Sequence, residues 1–303
     1  MSLNLEQNFR ALFGVDALPA LDELFFDEYQ QAEDPRSKLF QMLSTDRELV
    51  QTQEVDSLGV FSATSEGEIA PSDSFNQGYS KNFSLIKYAK KIGISDEMME
   101  DDRWGLISKM ARSLGRSSKE TEILLAMNVF NNGFGSEKSA DGKAIFASDH
   151  PSQVGNQSNI LSVAADLSYS SAAEMEKIFR EMKDSRGKRL LIKPKVVLVS
   201  ESERHNALEI FQSPYKAGTA NNNINALGAD GGLTVISSPY LTDADAFFML
   251  SDASDHGLKI FDRRGLSTKT HEDVAAGVLY YVASFRQVVG CDKWRGLAAS
   301  AGA

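Results

Sequence analysis

The chain has 303 residues, with 32 Lys and Arg against 42 Asp and Glu, a formal charge of −10. That length suggests about two domains of roughly 150 residues, the 42% hydrophobic content argues against global disorder, and the acidic balance disfavours a protein that grips nucleic acid through many phosphates. The single cysteine, Cys291, excludes an intrachain disulfide and a multi-cysteine metal site and fits a reducing compartment; the start MSLNLEQNFRALFGVD lacks a signal-peptide pattern, and no run approaches the ~18 apolar residues of a membrane span.

Residues 1–48 read as an arm. Leu5, Phe9, Leu12 and Phe13 recur at near-helical spacing, Leu21, Leu24 and Phe25 repeat the theme after Pro19, and Pro35 is a further breaker. Such short amphipathic pieces either cap the chain's own core or dock on a neighbouring subunit. Residues 49–95 read as a two-legged β excursion, LVQTQEVDSLGVFSA outward and YSKNFSLIKYAKKIGIS on the return. The connection TSEGEIAPSDSFNQG is polar, rich in turn formers and longer than a compact hairpin needs. A helix is expected over about 96–131, with Ser95 as N-cap and Asp96 and Glu97 in its first turn. Gly115 and Ser117–Ser118 are the places where it could bend.

Residues 133–165 are loop-rich, with a turn at Asp141–Gly142 before the short apolar AIFA. Ser171 and Glu174 form a capping box for an amphipathic helix carrying Met175, Ile178, Phe179 and Met182. KVVLVS reads as a buried strand, and Ser200 with Glu203 opens a second short helix. Residues 215–232 are rich in Asn and Gly and read as a surface loop. LTVISSPYL, AFFMLS and LKIFDRRG read as short strands, and VLYYVASFRQVVG as a last long strand or strand pair.

Catalytic signatures are sparse. No G-x-S-x-G, C-x-x-C or H-E-x-x-H is present, and Gly142–Lys143 lacks the rest of a phosphate-binding loop. DGKAIFASDHP at 141–151 is the one suggestive cluster, since Asp141, Asp149 and His150 could act as acid and base or ligate a metal. With no second His or Cys nearby, the plainer reading is an Asp-Gly turn, a short strand and an X-Pro turn. Lys188, Arg189, Lys193 and Lys195 read as a solvated turn, and Lys90–Lys91 as an exposed edge.

Four stretches in order carry a resemblance: GEIAPSDSFNQG at the tip of the β excursion, ISDEMMEDDRWG opening the long helix, DGKAIFASDHP after it, and KPKVVLVSESERHNALEIFQSP beyond. Over roughly 49–295 the chain resembles the tailed-bacteriophage major capsid proteins, with the Mu-like major head subunit group as the nearest match and the Hong-Kong-ninety-seven-type capsid fold. The resemblance implies an α+β chain with an N-terminal arm at 1–48, an extended β-hairpin loop at 49–90, a peripheral domain with a long spine helix at 91–165 and 265–303, and an axial α/β domain at 166–264. It implies a structural protein that self-assembles into hexamers and pentamers of an icosahedral head, undergoes procapsid maturation, and encloses double-stranded DNA without tight sequence-specific binding. Intersubunit contacts are expected from Glu66, Glu68, Ile69, Asp73 and Phe75 of the loop and from Phe9 and Phe13 of the arm, with Asn221, Asn222 and Asn223 in the axial-domain loop. No catalytic residue, cofactor, metal or membrane is implied. The implied partners are further copies of the chain, a portal, a decoration protein, and either a separate scaffolding protein or a scaffolding segment already removed. The location is the virion, after assembly in the host bacterial cytoplasm. The competing expectation is a cytosolic α+β hydrolase or transferase using Asp141, Asp149 and His150.

Overall fold

The computed structural model describes residues 17–303 apart from 56–57, 59, 62, 68, 70–71, 75–76, 102–104, 217–222, 230–231 and 274. In chain order the elements are α1 (Ala17–Gln31), α2 (Arg36–Leu39), β1 (Gln41–Ser44), β2 (Leu49–Val55), β3 (Gln77–Ser84), β4 (Ile86–Ser95), α3 (Asp96–Glu100) and α4 (Leu106–Asn131). They continue as α5 (Tyr169–Glu181), β5 (Val196–Ser200), α6 (Arg204–Gln212), α7 (Ala226–Ala229), β6 (Thr234–Ser238), β7 (Phe247–Leu250), β8 (Leu258–Asp273), β9 (Val278–Cys291) and β10 (Leu297–Ser300). The strands form one sheet in the order β1-β8-β9-β4, a second in the order β10-β7-β5-β6, and a separate β2-β3 hairpin.

The spine of the first half is α4, 26 residues and therefore about 39 Å long. Its first half turns Ile107, Ala111 and Leu114 toward the first sheet, where Ile94, Leu279, Tyr281 and Ala283 meet it. Its second half turns Ile123, Ala126, Met127 and Phe130 toward the second sheet, against Leu198, Phe248, Leu250 and Leu297. One helix therefore carries two halves of an apolar stripe and ties both sheets together. The expected helix over 96–131 is two helices: Ser95 caps α3 by accepting the Met98 N–H at 3.3 Å, and Gly105 with φ +59° precedes α4, a left-handed conformation that glycine adopts without a Cβ clash.

β5 is buried on both faces, which explains its unbroken apolar run. Val196 and Leu198 face the spine, whereas Val197 and Val199 face α5 and α6 through Met175, Phe179, Ala207 and Phe211. This alternation is the period of two that any strand imposes.

From residue 17 on, the chain follows the first of the two readings of the arm and caps its own core: Phe25 is fully buried and stands edge-on to Tyr281 at 6.0 Å, and β1 pairs in parallel with β8. Contact with α4 is close because position 115 is glycine; a Cβ there would stand 2.4 Å from the Phe25 carbonyl oxygen. A buried charge cluster fixes the turn after α1, with Arg36 bonded to Asp34 and Glu122 at 2.7 Å each, Lys119 to Asp34 at 2.7 Å, and the Tyr29 hydroxyl donating to Glu122. Other expectations are corrected. The cap of α5 is Ser168 with Ser171 rather than Ser171 with Glu174, because the helix starts earlier, at Tyr169. β8 runs to Asp273 through a polar stretch, its register shifting around Arg264. Residues 297–300, placed with the peripheral unit on sequence, pair with β7 in the second sheet. AIFA forms no strand; Ile145 and Phe146 are core plugs against α4. Within the loop expected at 215–232, Asn225 is buried and donates to the Ile210 and Ser213 carbonyls at 2.7 and 2.9 Å.

Candidate functional site

Two regions were singled out on sequence, the projecting hairpin and the Asp141–His150 cluster. The hairpin legs β2 and β3 pair from Leu49↔Ser84 to Val55↔Gln77, with a register shift between Gln53 and Val55. The root sits on the first sheet through Val50, Phe83 and Leu85 against Leu43, Phe261 and Val288. Farther out, Glu54 accepts from Arg295 Nη1 at 2.6 Å, and Arg295 Nε donates to the Lys183 carbonyl at 2.9 Å. Beyond the legs the chain is apolar in places yet uncovered: Val60 is 80%, Phe61 102% and Ile69 95% exposed.

Of the loop residues expected to reach a neighbour, Glu66 and Ile69 are exposed. Asp73 departs from the expectation. Both its carboxylate oxygens accept from Arg186 Nη1, at 2.9 and 2.8 Å, while Arg186 Nη2 donates to the Ser74 carbonyl at 2.7 Å. The loop is acidic and the turn after α5 is basic, so Asp73 finds its counter-charge on its own chain. Glu68 and Phe75 of the loop, Phe9 and Phe13 of the arm, and Asn221 and Asn222 lie outside the described residues. Asn223 is exposed, and its carbonyl accepts the Lys216 N–H at 2.8 Å beside a Tyr215↔Ile224 bridge. Sequence reading missed Arg186 and Arg295 as clamps of the hairpin. The available signal was their opposite sign to a segment that has six acids and no Lys or Arg over 48–80.

The second region has the parts of a proton relay but not the access. Asp141 Oδ2 lies 2.7 Å from His150 Nδ1, and Asn159 Oδ1 lies 3.3 Å from His150 Nε2. Asn159 in turn donates to the Ile145 carbonyl at 2.8 Å and accepts the Ala147 N–H at 2.9 Å. Burial works against the charge on Asp141, yet the His150 contact and the Lys143 N–H together hold its carboxyl below the usual range. Trp294 stacks on the imidazole with ring centroids 4.2 Å apart, and the side chain of His150 is fully buried. Both ring nitrogens are occupied and one ring face is sealed, so the group staples the 141–159 loop to the segment after β9. The plain X-Pro turn expected at 150–151 carried no sign of this burial. Asp149 points elsewhere, to an exposed ion pair with Lys143. Cys291 is buried, its thiol pushed up to about 12 by burial, and it donates to the Lys293 carbonyl; a neutral thiol of this kind is a poor nucleophile. Among the described residues no group of three His, Cys, Asp or Glu side chains could hold a metal ion, and no helix is long and apolar enough to cross a membrane.

Residues 78–300 match the family described as phage capsid protein. No curated protein matches the chain in sequence. Among solved structures the chain is similar to a virus-like particle from Pyrococcus furiosus, at 8% identity and a TM-score of 0.59 over 92% of this chain and 97% of that one. It is similar to the capsid of a native GTA particle at 10% identity and a TM-score of 0.59, over 88% of both chains. It is also similar to the capsid of the cyanophage P-SCSP1u, at 10% identity and a TM-score of 0.59, over 88% of this chain and 87% of that one. At such identities the likeness establishes the shared α+β fold, and the sequence match establishes the family.

Proposed function

We infer the function from one premise: the chain belongs to the phage capsid protein family, whose match over residues 78–300 takes in the returning hairpin leg, the spine helix and most strands of both sheets. It is a structural subunit of a capsid shell, and that family match is the observation that carries the conclusion. The hydrolase reading finds no support, since His150 is sealed under Trp294 and Asp149 is turned away from it.

We propose further that the chain is the major head subunit of a Mu-like tailed phage and assembles as hexamers and pentamers. The proposed division keeps 49–90 as the extended loop, the first sheet with α4 as the peripheral domain, and the second sheet with α5 and α6 as the axial domain. The exposed Phe61 and Ile69 support a hairpin covered by a neighbour, because apolar side chains left bare on a projecting loop mark an interaction surface. Glu66, Glu68 and Phe75 belong to the same contact. Phe9 and Phe13 are proposed as arm contacts, and Asn221, Asn222 and Asn223 as part of the loop nearest the capsomer centre. A separate scaffolding protein, a portal and a decoration protein complete the proposed assembly, formed in the host cytoplasm and retained in the virion around DNA. No side chain is assigned a catalytic role.

Size-exclusion chromatography with light scattering tests this reading, run on the chain alone and co-expressed with the scaffold. Pentamer- and hexamer-sized species, and particles far larger with scaffold, are the expected outcome. A monomer or dimer under every condition contradicts it.

A further inference from the structure

The hydrogen bonds around His150 fix how many protons its ring carries. Asn159 is held in one orientation, because its Nδ2 donates to the Ile145 carbonyl at 2.8 Å and its Oδ1 accepts the Ala147 N–H at 2.9 Å. Reversing that amide would set donor against donor and acceptor against acceptor. His150 Nε2, 3.3 Å from the same Oδ1, therefore faces an acceptor and carries a hydrogen. On the other side of the ring, Nδ1 lies 2.7 Å from Asp141 Oδ2. An ionised carboxylate only accepts. A neutral ring with its hydrogen on Nε2 would set two lone pairs against each other there, so a second hydrogen lies between Nδ1 and Oδ2. Burial acts to raise the carboxyl of Asp141, but the His150 bond, the Lys143 N–H and the charges of His150 and Arg295 bring it below its ordinary range. That places the second hydrogen on the ring.

The surroundings suit a cation. The Trp294 ring stacks on the imidazole with centroids 4.2 Å apart and planes 11° apart, and an aromatic face attracts positive charge. The side chains of His150 and Asp141 are both buried, so the pair is charged, matched and dry. The neighbouring charges are spoken for elsewhere. Asp149 faces Lys143 in an exposed ion pair. Arg295, over the Trp294 ring at 4.8 Å, is met by Glu54 of β2 at 2.6 Å.

We propose that Asp141 and His150 form a buried site for one proton, and that this proton latches the 141–159 loop and the hairpin root to the segment after β9. The link to the hairpin is the next residue along the chain. Trp294 lies on the imidazole, and Arg295 holds both Glu54 and the Lys183 carbonyl, at 2.6 and 2.9 Å. Removing the proton leaves a buried carboxylate beside a lone pair, with its cationic partner gone, which is strongly unfavourable. Opening the loop relieves it and takes away the ring on which Trp294 rests.

An unfolded chain gives up an ordinary histidine proton near pH 6.5. Above about that pH the folded chain holds one proton more than the unfolded chain, and the latch weakens as the pH rises. His256 acts in the opposite direction and below about pH 6.5, so the two effects separate.

Asp141→Asn is the decisive variant. An asparagine amide can donate to Nδ1 and leave the ring neutral, which keeps the hydrogen bonds and removes the proton. In the dissociated full-length subunit with nitrogen-15 histidine, NMR at about pH 7 should show hydrogens on both ring nitrogens of one residue. That residue should vanish in His150→Gln and keep one ring hydrogen in Asp141→Asn. From about pH 7 to 9, urea melts should show the folding constant of the parent falling relative to Asp141→Asn by as much as about tenfold per pH unit. Hydrogen exchange at about pH 9 should be faster in the parent than in the variant over both 141–159 and 49–55. A single ring hydrogen on His150 in the parent, or parallel pH profiles in the two proteins, overturns the proposal. Faster exchange in 141–159 with none in 49–55 overturns the link to the hairpin. If Asp141→Asn folds poorly, the ring hydrogens of the parent decide the matter by themselves.

Discussion

His256 is 3% exposed, its Nδ1 accepts the Leu258 N–H at 3.1 Å, and its Nε2 has no partner. Burial pulls its pKa down to about 4, with Asp252 acting to raise it and Lys293 to lower it. The folded chain therefore binds fewer protons at this ring than the unfolded chain between pH 6.5 and 4, so stability is full above about pH 6.5 and falls as the pH drops through that window. A shift from 6.5 to about 4 corresponds to as much as about 3 kcal/mol. Asp34, Asp141 and Asp252 have lowered carboxyl pKa values, so their contribution is lost only at still lower pH, and the two windows separate. Urea melts at stepped pH should show the decline beginning near pH 6.5 in the parent and a flat response down to about 4.5 in His256→Gln. Equal slopes in the two proteins would remove His256 from the account. Little at this scale was legible beforehand. A lone His in a sequence carries no sign of its burial, and Gly115 reads as a helix breaker until the Phe25 carbonyl is found against it. Asp141, Asp149 and His150 were grouped only as a candidate cluster, and Asn159 and Trp294, which settle the role of His150, lie 9 and 144 residues beyond it in the chain.

At the scale of elements, strong periodicity was legible and polar strands were not. β5, β7 and most of α4 follow from apolar runs and stripes that only a buried strand or a packed helix can satisfy. The second half of β8, from Gly265 to Asp273, has one apolar residue, Leu266; it is a strand because β9 supplies its hydrogen-bonding partner from the other arm of the ribbon, a tertiary cause that composition does not carry. The arm was ambiguous for the same reason, and packing against α4 places the piece from residue 17 on, with Leu21 and Phe25, on its own chain. The hairpin offers the sharpest element-level prediction. Replacing 56–76 by Asn-Gly keeps the Val55↔Gln77 pair and gives a two-residue turn that suits a hairpin. The isolated subunit should melt within a few degrees of the parent, because the Arg186–Asp73 pair that is lost is partly exposed and worth about 0–1 kcal/mol, with the Arg186 bond to the Ser74 carbonyl beside it likewise exposed. Shell assembly should fail, or shells should break at lower temperature than the parent's. Parental assembly and heat resistance would show that the hairpin is not an intersubunit clamp.

For the molecule as a whole, family membership and architecture point the same way. A spine helix ties two sheets together, and a hairpin with bare apolar side chains extends beyond them. Each feature is costly or idle in a solitary globule and becomes favourable when many copies meet. The one relay-like cluster, Asp141 with His150, is a staple within the chain. Electron microscopy of the purified chain, expressed alone and with its scaffold, tests the central claim most directly. The account predicts rings with five- and six-fold symmetry, and closed, uniform, hollow shells when scaffold is present. A field of small, discrete oligomers without rings or shells in both preparations would contradict it.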